Sequence, residues 1–378
     1  MENKYQDFPF VLSYSFRNTA GKEIQSFRSN LPVLPASNMK ILTGFVAFRL
    51  LGPDYKFITE VKTNGKELIF SGGPSPLLDF GALKAIIESL GLNSEDLNDG
   101  KFSIRMRNSR IDGQTINPDW NYADSFYSYQ SNITNFSLNE NCMAKDNSNH
   151  EFHLLDLHDH EENFVPVKSS ANNLKSELNK AIAESSKDLG KERKEIAFHV
   201  ESLDSILEHM EPVSCNYSAE ILFKYLSYAK TKKPGSWAVS SSILVDEISK
   251  FIGYDPGIRV SDGSGLSRKD FVNTSFLSDL IMKIHLNNGD AFIKHLPKPG
   301  LGTLKNRLKS YQSAKIFAKT GTLAGVAALS GYIYSIDTSF SIIINNYIGN
   351  TKTSYFIDEI LESFLSANEI SPAEISKK

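Results

Sequence analysis

The amino-acid sequence predicts an α/β (α+β) fold in which an antiparallel sheet is flanked by helices and interrupted by an inserted domain. Two β-type runs near the N-terminus are separated by Asn18-Thr19-Ala20-Gly21, which predicts a hairpin. Three β-rich runs follow one another late in the chain with short breaks, which predicts an antiparallel meander. A closing helix with one apolar stripe is expected to pack on this sheet. In chain order these segments are 10–16, 22–27, 314–322, 326–335, 340–348 and 354–368.

Hydrophobic periodicity and the positions of glycine and proline predict the remaining elements. Residues 41–51 carry apolar side chains at helical spacing, and Gly52-Pro53 predicts where that helix ends. The pattern of residues 57–141 predicts strands and turns, with one amphipathic helix near 83–90. Beyond residue 199 the sequence predicts apolar helices at 203–210, 218–228, 240–251 and 273–287.

Size and composition fit one large domain or two ordinary ones. The chain has 378 residues, of which 40% are hydrophobic, and a net charge of -3. This charge offers no basic surface for nucleic acid, and no apolar run of membrane-spanning length is free of charge. We therefore expect no nucleic-acid partner and no integral membrane segment. From the changes of texture we expect 1–54 and 200–378 to form one discontinuous domain and 55–199 an inserted domain.

Cysteine and histidine usage gives little support to a disulfide framework or a metal site. Cys142 and Cys215 are the two cysteines, and no Cys/His spacing resembles a zinc site. Residues 150–160 hold half of the eight histidines, and His158 and His160 would share a strand face. The interleaved leucines favour a strand with a solvated outer face over a metal site.

Ser37 and Lys40 give the strongest chemical signal. Ser37 follows Pro35 at the expected start of a helix, and residues three apart on a helix are neighbours, so the Lys40 amine can reach the Ser37 hydroxyl. A serine needs a base to take its proton, and a lysine is that base only where burial and nearby positive charge lower its pKa. The pattern is weak alone, because Ser227 and Lys230 repeat it on an ordinary helix face.

Two companion motifs strengthen this signal. Lys319-Thr320-Gly321-Thr322 lies on a predicted strand and offers a cation, two hydroxyls and a glycine that a substrate backbone can approach. A fixed cation beside a serine nucleophile suits a substrate with a carboxylate near the scissile carbonyl. Ser214-Cys215-Asn216 lies in a turn between predicted helices, where the Ser214 hydroxyl can relay protons and the Asn216 amide can hold both Lys40 and a substrate.

Five blocks occur in a fixed order along most of the chain. They are Pro35-Ala36-Ser37-Asn38-Met39-Lys40, Leu51-Gly52-Pro53-Asp54-Tyr55, Ser137-Leu138-Asn139-Glu140-Asn141, Asp262-Gly263-Ser264-Gly265-Leu266-Ser267 and Ala318-Lys319-Thr320-Gly321-Thr322-Leu323. Together they resemble the signatures of the D-alanyl-D-alanine carboxypeptidases of the peptidase S13 family, which are low-molecular-weight class C penicillin-binding proteins.

The resemblance implies a transpeptidase-like fold of the penicillin-recognising serine hydrolases, with a catalytic domain and an inserted domain that shapes the substrate rim. The resemblance implies that Ser37 is the nucleophile and Lys40 its base. It implies that Ser214 and Asn216 form the second catalytic element, and that Lys319 and Thr320 bind the substrate carboxylate. The backbone N–H groups of Ser37 and Thr322 would form the oxyanion hole. The implied reaction removes a terminal D-alanine through an acyl-enzyme, requires no metal or organic cofactor, and has β-lactams as inhibitors.

Departures from the family pattern concern substrate and compartment. Cys215 stands where the family usually has Asp, Gly72-Gly73-Pro74 replaces the common Gly-Asp-Pro, and the stretch after Asn141 is shorter than in larger members. We expect Cys215 to be a small buried residue, with a redox role as the alternative. Residues 1–7 show no export signal, so the sequence as written predicts a cytoplasmic protein, whereas the resemblance predicts an extracytoplasmic one.

The main hypothesis is therefore a D-Ala-D-Ala carboxypeptidase or endopeptidase that acts on peptidoglycan-type stem peptides. One alternative is the same machinery on another substrate, as a D-amino-acid peptidase, an amidase or an esterase. The other is a catalytically idle scaffold on the same fold.

Overall fold

The structure is a computed structural model that describes residues 10–64, 67–92, 103–144, 164–167, 174, 176–181, 194–288, 290–348 and 353–372. The histidine-rich stretch 150–160 lies outside these residues. The described residues fall into two compact units. The first unit draws on Met1–Val46, Leu207–Ser214 and Ser241–Lys378, and the second on Ala47–Ile206 and Cys215–Ser240.

The strands and helices follow the predicted order. The strands are β1 Val11–Asn18, β2 Glu23–Phe27, β3 Lys56–Thr63, β4 Glu67–Gly72, β5 Ser103–Arg107, β6 Cys142–Ala144, β7 Phe164–Pro166, β8 Ile196–Ser202, β9 Ile316–Leu323, β10 Val326–Ile333 and β11 Thr338–Asn345. The helices are α1 Met39–Leu51, α2 Phe80–Leu90, α3 Leu203–Val213, α4 Asn216–Thr231, α5 Trp237–Ile252, α6 Thr274–Asn288, α7 Asp290–Ile293 and α8 Thr353–Ala367.

A five-stranded sheet forms the centre of the first unit. Its order is β2-β1-β11-β10-β9, and every pairing is antiparallel. The predicted hairpin and the predicted meander are both confirmed, and β1 joins them by pairing with β11 along its whole length. Every residue of β10 and β11 is buried.

The two faces of this sheet have different chemistry. One face packs on α8 through an apolar core, in which Phe16 of β1 stacks on Phe364 with ring centroids 3.8 Å apart. The other face carries hydroxyl groups toward α6, where Ser13 Oγ and Thr274 Oγ1 lie 2.7 Å apart. Buried hydroxyls that find partners in this way hold the sheet against α6.

The second unit has a four-stranded sheet of its own, in the order β5-β4-β3-β8. Its β4 and β5 are parallel, and the other pairings are antiparallel. Helix α2 lies on it as the predicted amphipathic helix, with Leu83 and Ile87 in the same core as Phe70. Asp79 Oδ1 accepts the Ala82 N–H at 2.7 Å and so caps the N-terminus of α2.

Helices α1, α3 and α5 each contribute residues to both units. The predicted division into a catalytic domain of 1–54 and 200–378 and an inserted domain of 55–199 therefore stays a prediction. Within the described residues, no helix is both long enough and apolar enough to cross a membrane.

Candidate active site

Ser37 and Lys40 meet at the start of α1. Ser37 is half-buried in a 3-10 turn, Ala36–Asn38, that runs directly into the helix. The fully buried Lys40 donates from Nζ to Ser37 Oγ at 2.9 Å and to the Ser264 carbonyl at 3.0 Å. An amine at this distance is within reach of the hydroxyl proton that a general base must take. The predicted proximity of the two side chains is confirmed.

The loop Asp262–Ser267 holds this turn in place. Gly265 has φ 84°, and a Cβ there would lie 1.9 Å from the Ala36 carbonyl oxygen, so only glycine fits. The Asp262 carboxylate accepts the N–H groups of Gly265 and Ser267, each at 2.7 Å, which fixes the loop. Ala36 itself has φ 47°, a left-handed conformation that alanine rarely adopts and that this packing imposes.

The sheet anchors the turn from the other side. Asn38 Nδ2 donates to Ser330 Oγ of β10 at 2.7 Å, and Ser330 Oγ donates to Ser341 Oγ of β11 at 2.8 Å. Asn345 Oδ1 accepts the Leu34 N–H at 2.7 Å. The segment that carries Ser37 is therefore bonded to two central strands, which gives the hydroxyl a defined position.

The Lys319–Thr322 segment lies on β9, beside the same turn. A Cβ at Gly321 would lie 2.8 Å from the Pro35 carbonyl oxygen and 3.1 Å from the Ser37 nitrogen, so the glycine permits close approach of the two backbones. Lys319 is fully buried and Thr322 is exposed. The Thr320 hydroxyl donates to Thr303 Oγ1 at 2.7 Å. The structure thus brings this segment together with Ser37 in the first unit.

Lys319 has an unusual electrostatic environment. Burial and the neighbouring Lys40 charge lower the pKa of Lys319 to about 7, and Glu211 opposes that shift. A lysine with such a pKa changes its charge near neutral pH, where an exposed lysine stays cationic.

Ser214 lies in the predicted turn after α3, whereas Asn216 is the first residue of α4. Ser214 is half-buried with φ 62° and belongs to the first unit. Asn216 belongs to the second unit, where its Nδ2 donates to the Tyr129 carbonyl at 2.9 Å. Their assignment as the second catalytic element stays a prediction.

Cys215 is confirmed as a buried residue, and the structure gives it a local role. Its Sγ accepts the Ser218 N–H at 3.2 Å and so caps the N-terminus of α4. Aspartate, which the resemblance leads us to expect at this position, is a preferred N-cap, and the thiol takes that role here. Burial raises the pKa of the Cys215 thiol well above its usual value, which disfavours the reactive thiolate.

Glu211 is a candidate functional residue that the sequence analysis missed. Its side chain is fully buried on α3, and neither carboxylate oxygen has a hydrogen-bond partner among the described residues. Burial raises the pKa of Glu211 to about 7, against the opposing effects of Lys319 and Lys40. The available signal was periodicity, because Glu211 lies four residues beyond Leu207 on the apolar stripe of α3.

The second Ser-x-x-Lys pair has a different environment. Ser227 is buried and its hydroxyl donates to the Lys224 carbonyl of the same helix at 3.1 Å, whereas Lys230 is exposed. The expected helix position of the pair is confirmed, and the Ser227 hydroxyl is used inside the fold.

Comparison with known proteins places the chain in a family. The sequence profile of the D-Ala-D-Ala carboxypeptidase 3 (S13) family matches residues 16–151 and 177–364. A D-alanyl-D-alanine carboxypeptidase of Actinomadura sp. (strain R39) is 33% identical over 158 residues, which are 39% of this chain and 29% of that protein. The penicillin-sensitive carboxypeptidase A of Dictyostelium discoideum is 38% identical over 114 residues, 26% of this chain and 22% of the relative. The matched segments thus span less than a third of either relative.

Solved structures share the fold. Penicillin-binding protein 4 of Haemophilus influenzae superposes with a TM-score of 0.71 at 20% identity, over 91% of this chain and 92% of that one. A predatory peptidoglycan endopeptidase of Bdellovibrio bacteriovorus gives a TM-score of 0.55 at 14% identity, over 98% and 95% of the two chains. With the family profile matched along most of its length, the chain belongs to the D-Ala-D-Ala carboxypeptidase 3 (S13) family.

Proposed function

We propose that this protein is a serine-type D-Ala-D-Ala carboxypeptidase, with endopeptidase action on the same kind of bond, that acts on peptidoglycan-type stem peptides and binds β-lactams. The observation that carries the proposal is the 2.9 Å hydrogen bond from Lys40 Nζ to Ser37 Oγ, on a turn packed against the Lys319–Thr322 strand. Membership of the S13 family and the names of the two relatives support it.

Acylation would use Ser37 and Lys40 directly. Neutral Lys40 takes the hydroxyl proton as Ser37 Oγ attacks the carbonyl carbon that precedes the terminal D-alanine. The N–H groups of Ser37 and Thr322 stabilise the oxyanion of the tetrahedral intermediate. Collapse breaks the C–N bond, the D-alanine amine leaves with the proton from Lys40, and an ester on Ser37 remains. Water then attacks the ester, which releases the shortened peptide and restores the hydroxyl.

Lys319 and Thr320 would hold the terminal carboxylate of the substrate. A buried ammonium group has few competing water molecules, so its interaction with a carboxylate is stronger than at the surface. The Thr320 hydroxyl donates its single proton to Thr303 Oγ1, and it would turn that proton to the carboxylate when the substrate binds. A substrate that lacks the carboxylate would lose this anchor.

Residues 55–199 would form the inserted domain that shapes the substrate rim, and Asn216 would belong to the second catalytic element. The Asn216 amide bonds to the carbonyl of Tyr129, whose ring stacks on Tyr127 with centroids 5.2 Å apart. Tyr122 and Phe126 are 78% and 71% exposed in the same stretch of chain. Exposed aromatic rings near a proposed catalytic amide offer a binding surface for the rest of the stem peptide.

Burial of charge argues against an idle scaffold. Lys40, Lys319 and Glu211 are all fully buried in the first unit. Buried ionisable groups cost folding free energy unless they are compensated, so a scaffold without chemistry would gain from apolar replacements. Because peptidoglycan stem peptides lie outside the cytoplasm, the proposed substrate also implies an extracytoplasmic site of action.

Peptide hydrolysis tests the proposed substrate. An N-acylated tripeptide ending in D-Ala-D-Ala is compared with the same peptide as its C-terminal amide and with one ending in L-Ala-L-Ala. We expect D-alanine release from the first peptide alone, and loss of that release in Ser37→Ala. Equal cleavage of the amide would favour an amidase or D-amino-acid peptidase, and no cleavage of any peptide would favour the idle scaffold.

A further inference from the structure

Three buried ionisable groups of the first unit act on one another electrostatically. Lys40 and Lys319 bring two amines, and Glu211 brings one carboxyl group, all without exposed surface. Two like charges in one buried region oppose each other, and a carboxylate beside them favours their charged forms. The protonation states of the three groups are therefore linked.

Packing places Glu211 against the helix face that carries Lys40. Gly44 lies one turn beyond Lys40 on α1, so the two residues share a face. A Cβ at Gly44 would lie 2.8 Å from Glu211 Oε1, so the missing side chain leaves room for the carboxyl group. The other neighbours of this position, Phe292 and Leu207, are apolar. Lys319 from β9 and Lys40 from α1 both act electrostatically on Glu211.

Hydrogen bonds to neighbouring groups do not explain how the buried Glu211 carboxyl group is stabilised. Neither oxygen of Glu211 has a hydrogen-bond partner within the described residues, whereas most buried polar atoms have at least one. An unbonded buried carboxyl group costs folding free energy, and a glutamine or an apolar residue would cost less. The compensating interaction available to Glu211 is its attraction to the two lysines.

We propose that Glu211 is a positioning residue of the acylation machinery, the buried counter-charge that keeps the ammonium group of Lys319 charged while Lys40 is neutral and serves as the base. This inference rests on the proposed function of Ser37 and Lys40. With Glu211 ionised, Lys319 charged and Lys40 neutral, the three groups carry no net charge. Glu211 then acts on the substrate carboxylate through Lys319 and does not touch the substrate.

Removing the Glu211 charge is expected to lower the pKa of Lys319. Lys319 binds a carboxylate only in its ammonium form, which is present below the pKa of Lys319. Glu211 raises this pKa, against burial and Lys40. Glu211→Gln therefore loses the ammonium form at lower pH, and the alkaline limit of carboxylate recognition moves down by about one to three pH units, the effect of one close opposite charge.

The pH profile of Ser37 acylation by benzylpenicillin, which carries a carboxylate, tests this. The matched control is Glu208→Gln, which removes an exposed carboxylate from the same helix. We expect the alkaline limb of Glu211→Gln to lie at lower pH than in the wild-type protein, with weaker apparent affinity at neutral pH, and Glu208→Gln to follow the wild-type profile. Coincident profiles for Glu211→Gln and the wild-type protein would overturn the inference.

The same experiment distinguishes failure of the proposed function from failure of the proposal for Glu211. A wild-type protein that forms no adduct on Ser37 contradicts the proposed function before any Glu211 variant is compared. A wild-type adduct with an unchanged Glu211→Gln profile contradicts the counter-charge alone.

Infrared difference spectroscopy gives a second readout that needs no acylation. The spectrum of the wild-type protein minus that of Glu211→Gln isolates the Glu211 carboxyl group across the pH range. We expect ionisation near neutral pH, displaced to higher pH when the Lys319 charge is removed in Lys319→Met. An ionisation that Lys319→Met leaves unmoved would show that Glu211 does not sense Lys319, and the proposal would be abandoned.

Discussion

Lys40 is a fully buried amine whose Nζ lies 2.9 Å from a serine hydroxyl and 3.0 Å from a backbone carbonyl. Those two acceptors hold the amine in one orientation, toward the proton that must leave Ser37. A base held in this way lowers the entropic cost of proton transfer, because no search for geometry precedes it. The proposed chemistry therefore depends on Lys40 more than on any exposed side chain.

Lys40→Met is expected to slow acylation of Ser37 by about 10²- to 10⁴-fold, the usual contribution of a general base. Methionine keeps the length and fills the buried space, so the loss reports chemistry. The measurement is the rate of adduct formation with a fluorescent penicillin. Lys230→Met is the control, since Lys230 is the exposed lysine of the second Ser-x-x-Lys pair. Equal rates for Lys40→Met and the wild-type protein would exclude Lys40 as the base.

The raised pKa of Glu211 leads to a prediction about stability as well as about activity. Burial raises its pKa from 4.5 to about 7, so the folded protein binds this proton more tightly than the unfolded chain does. Stability is therefore lost as pH rises from about 4.5 to about 7. Glu211→Gln lacks this loss, and its free energy of unfolding relative to wild type should rise across that window by up to about 3 kcal/mol.

Urea denaturation at several pH values measures this difference. Glu208→Gln, on the exposed side of the same helix, should show no such rise. A constant difference between Glu211→Gln and the wild-type protein across the window would mean that the Glu211 carboxyl group ionises normally.

At the scale of elements, the 3-10 turn of Ser37 is fixed between a loop and two strands. Gly265 of the loop touches the Ala36 carbonyl, and Ser330 of β10 binds Asn38. These contacts are long-range, so the left-handed conformation of Ala36 depends on the loop and the strands that pack on it. The geometry of the hydroxyl is thus a property of the assembled first unit.

Gly265→Ala is expected to lower the free energy of unfolding by about 3 kcal/mol or more, because its Cβ would overlap the Ala36 carbonyl and its φ of 84° is also unfavourable for alanine. Acylation of Ser37 should slow in the same variant, since the turn must move. Gly21→Ala separates the two causes: Gly21 has φ 73° with open space around it, so about 1–2 kcal/mol is expected there. Equal losses for the two variants in chemical denaturation would refute the contact between loop and turn.

The elements show which parts of the structure the sequence could predict. The hairpin, the meander, the amphipathic helix α2 and the turn before α4 depend on local periodicity and punctuation, and all are confirmed. The Ser37 and Lys40 pair was also predictable, because both residues lie within one helical turn. For Glu211 the sequence offered only the periodicity of α3, which could not show that the carboxyl group is buried by packing on α1, more than 160 residues away in the chain. The cap formed by Cys215 needed the observed position of the helix start.

At the scale of the whole molecule, each of the two units has its own core and its own buried polar cluster. In the second unit, Lys224 Nζ lies 2.6 Å from Asp112 Oδ1 and 2.6 Å from the Gln114 carbonyl, and 4.2 Å from the centroid of the Trp237 ring. Burial lowers the pKa of Lys224, and Asp112 opposes this. This lysine therefore ties the chain near residue 112 to α4 and does no chemistry in the proposed reaction.

Asp112→Asn is expected to destabilise the second unit by about 1–3 kcal/mol, because it leaves a buried ammonium group with weaker compensation. The expected loss of stability is smaller than for a fully buried ion pair, because the Asp112 side chain is 31% exposed. Asp246→Asn breaks an ion pair whose acidic side chain is 59% exposed, and it should change stability far less than Asp112→Asn does. Similar effects of both variants in urea denaturation would contradict a structural role for the Lys224 cluster.

The central claim, that Ser37 is a nucleophile activated by Lys40, is tested most directly by the intact mass of the protein after incubation with a fluorescent penicillin. We expect one covalent adduct, located on Ser37 by peptide mapping and absent from Ser37→Ala. A folded protein that forms no adduct at any penicillin concentration, or one whose adduct persists in Ser37→Ala, would contradict the claim.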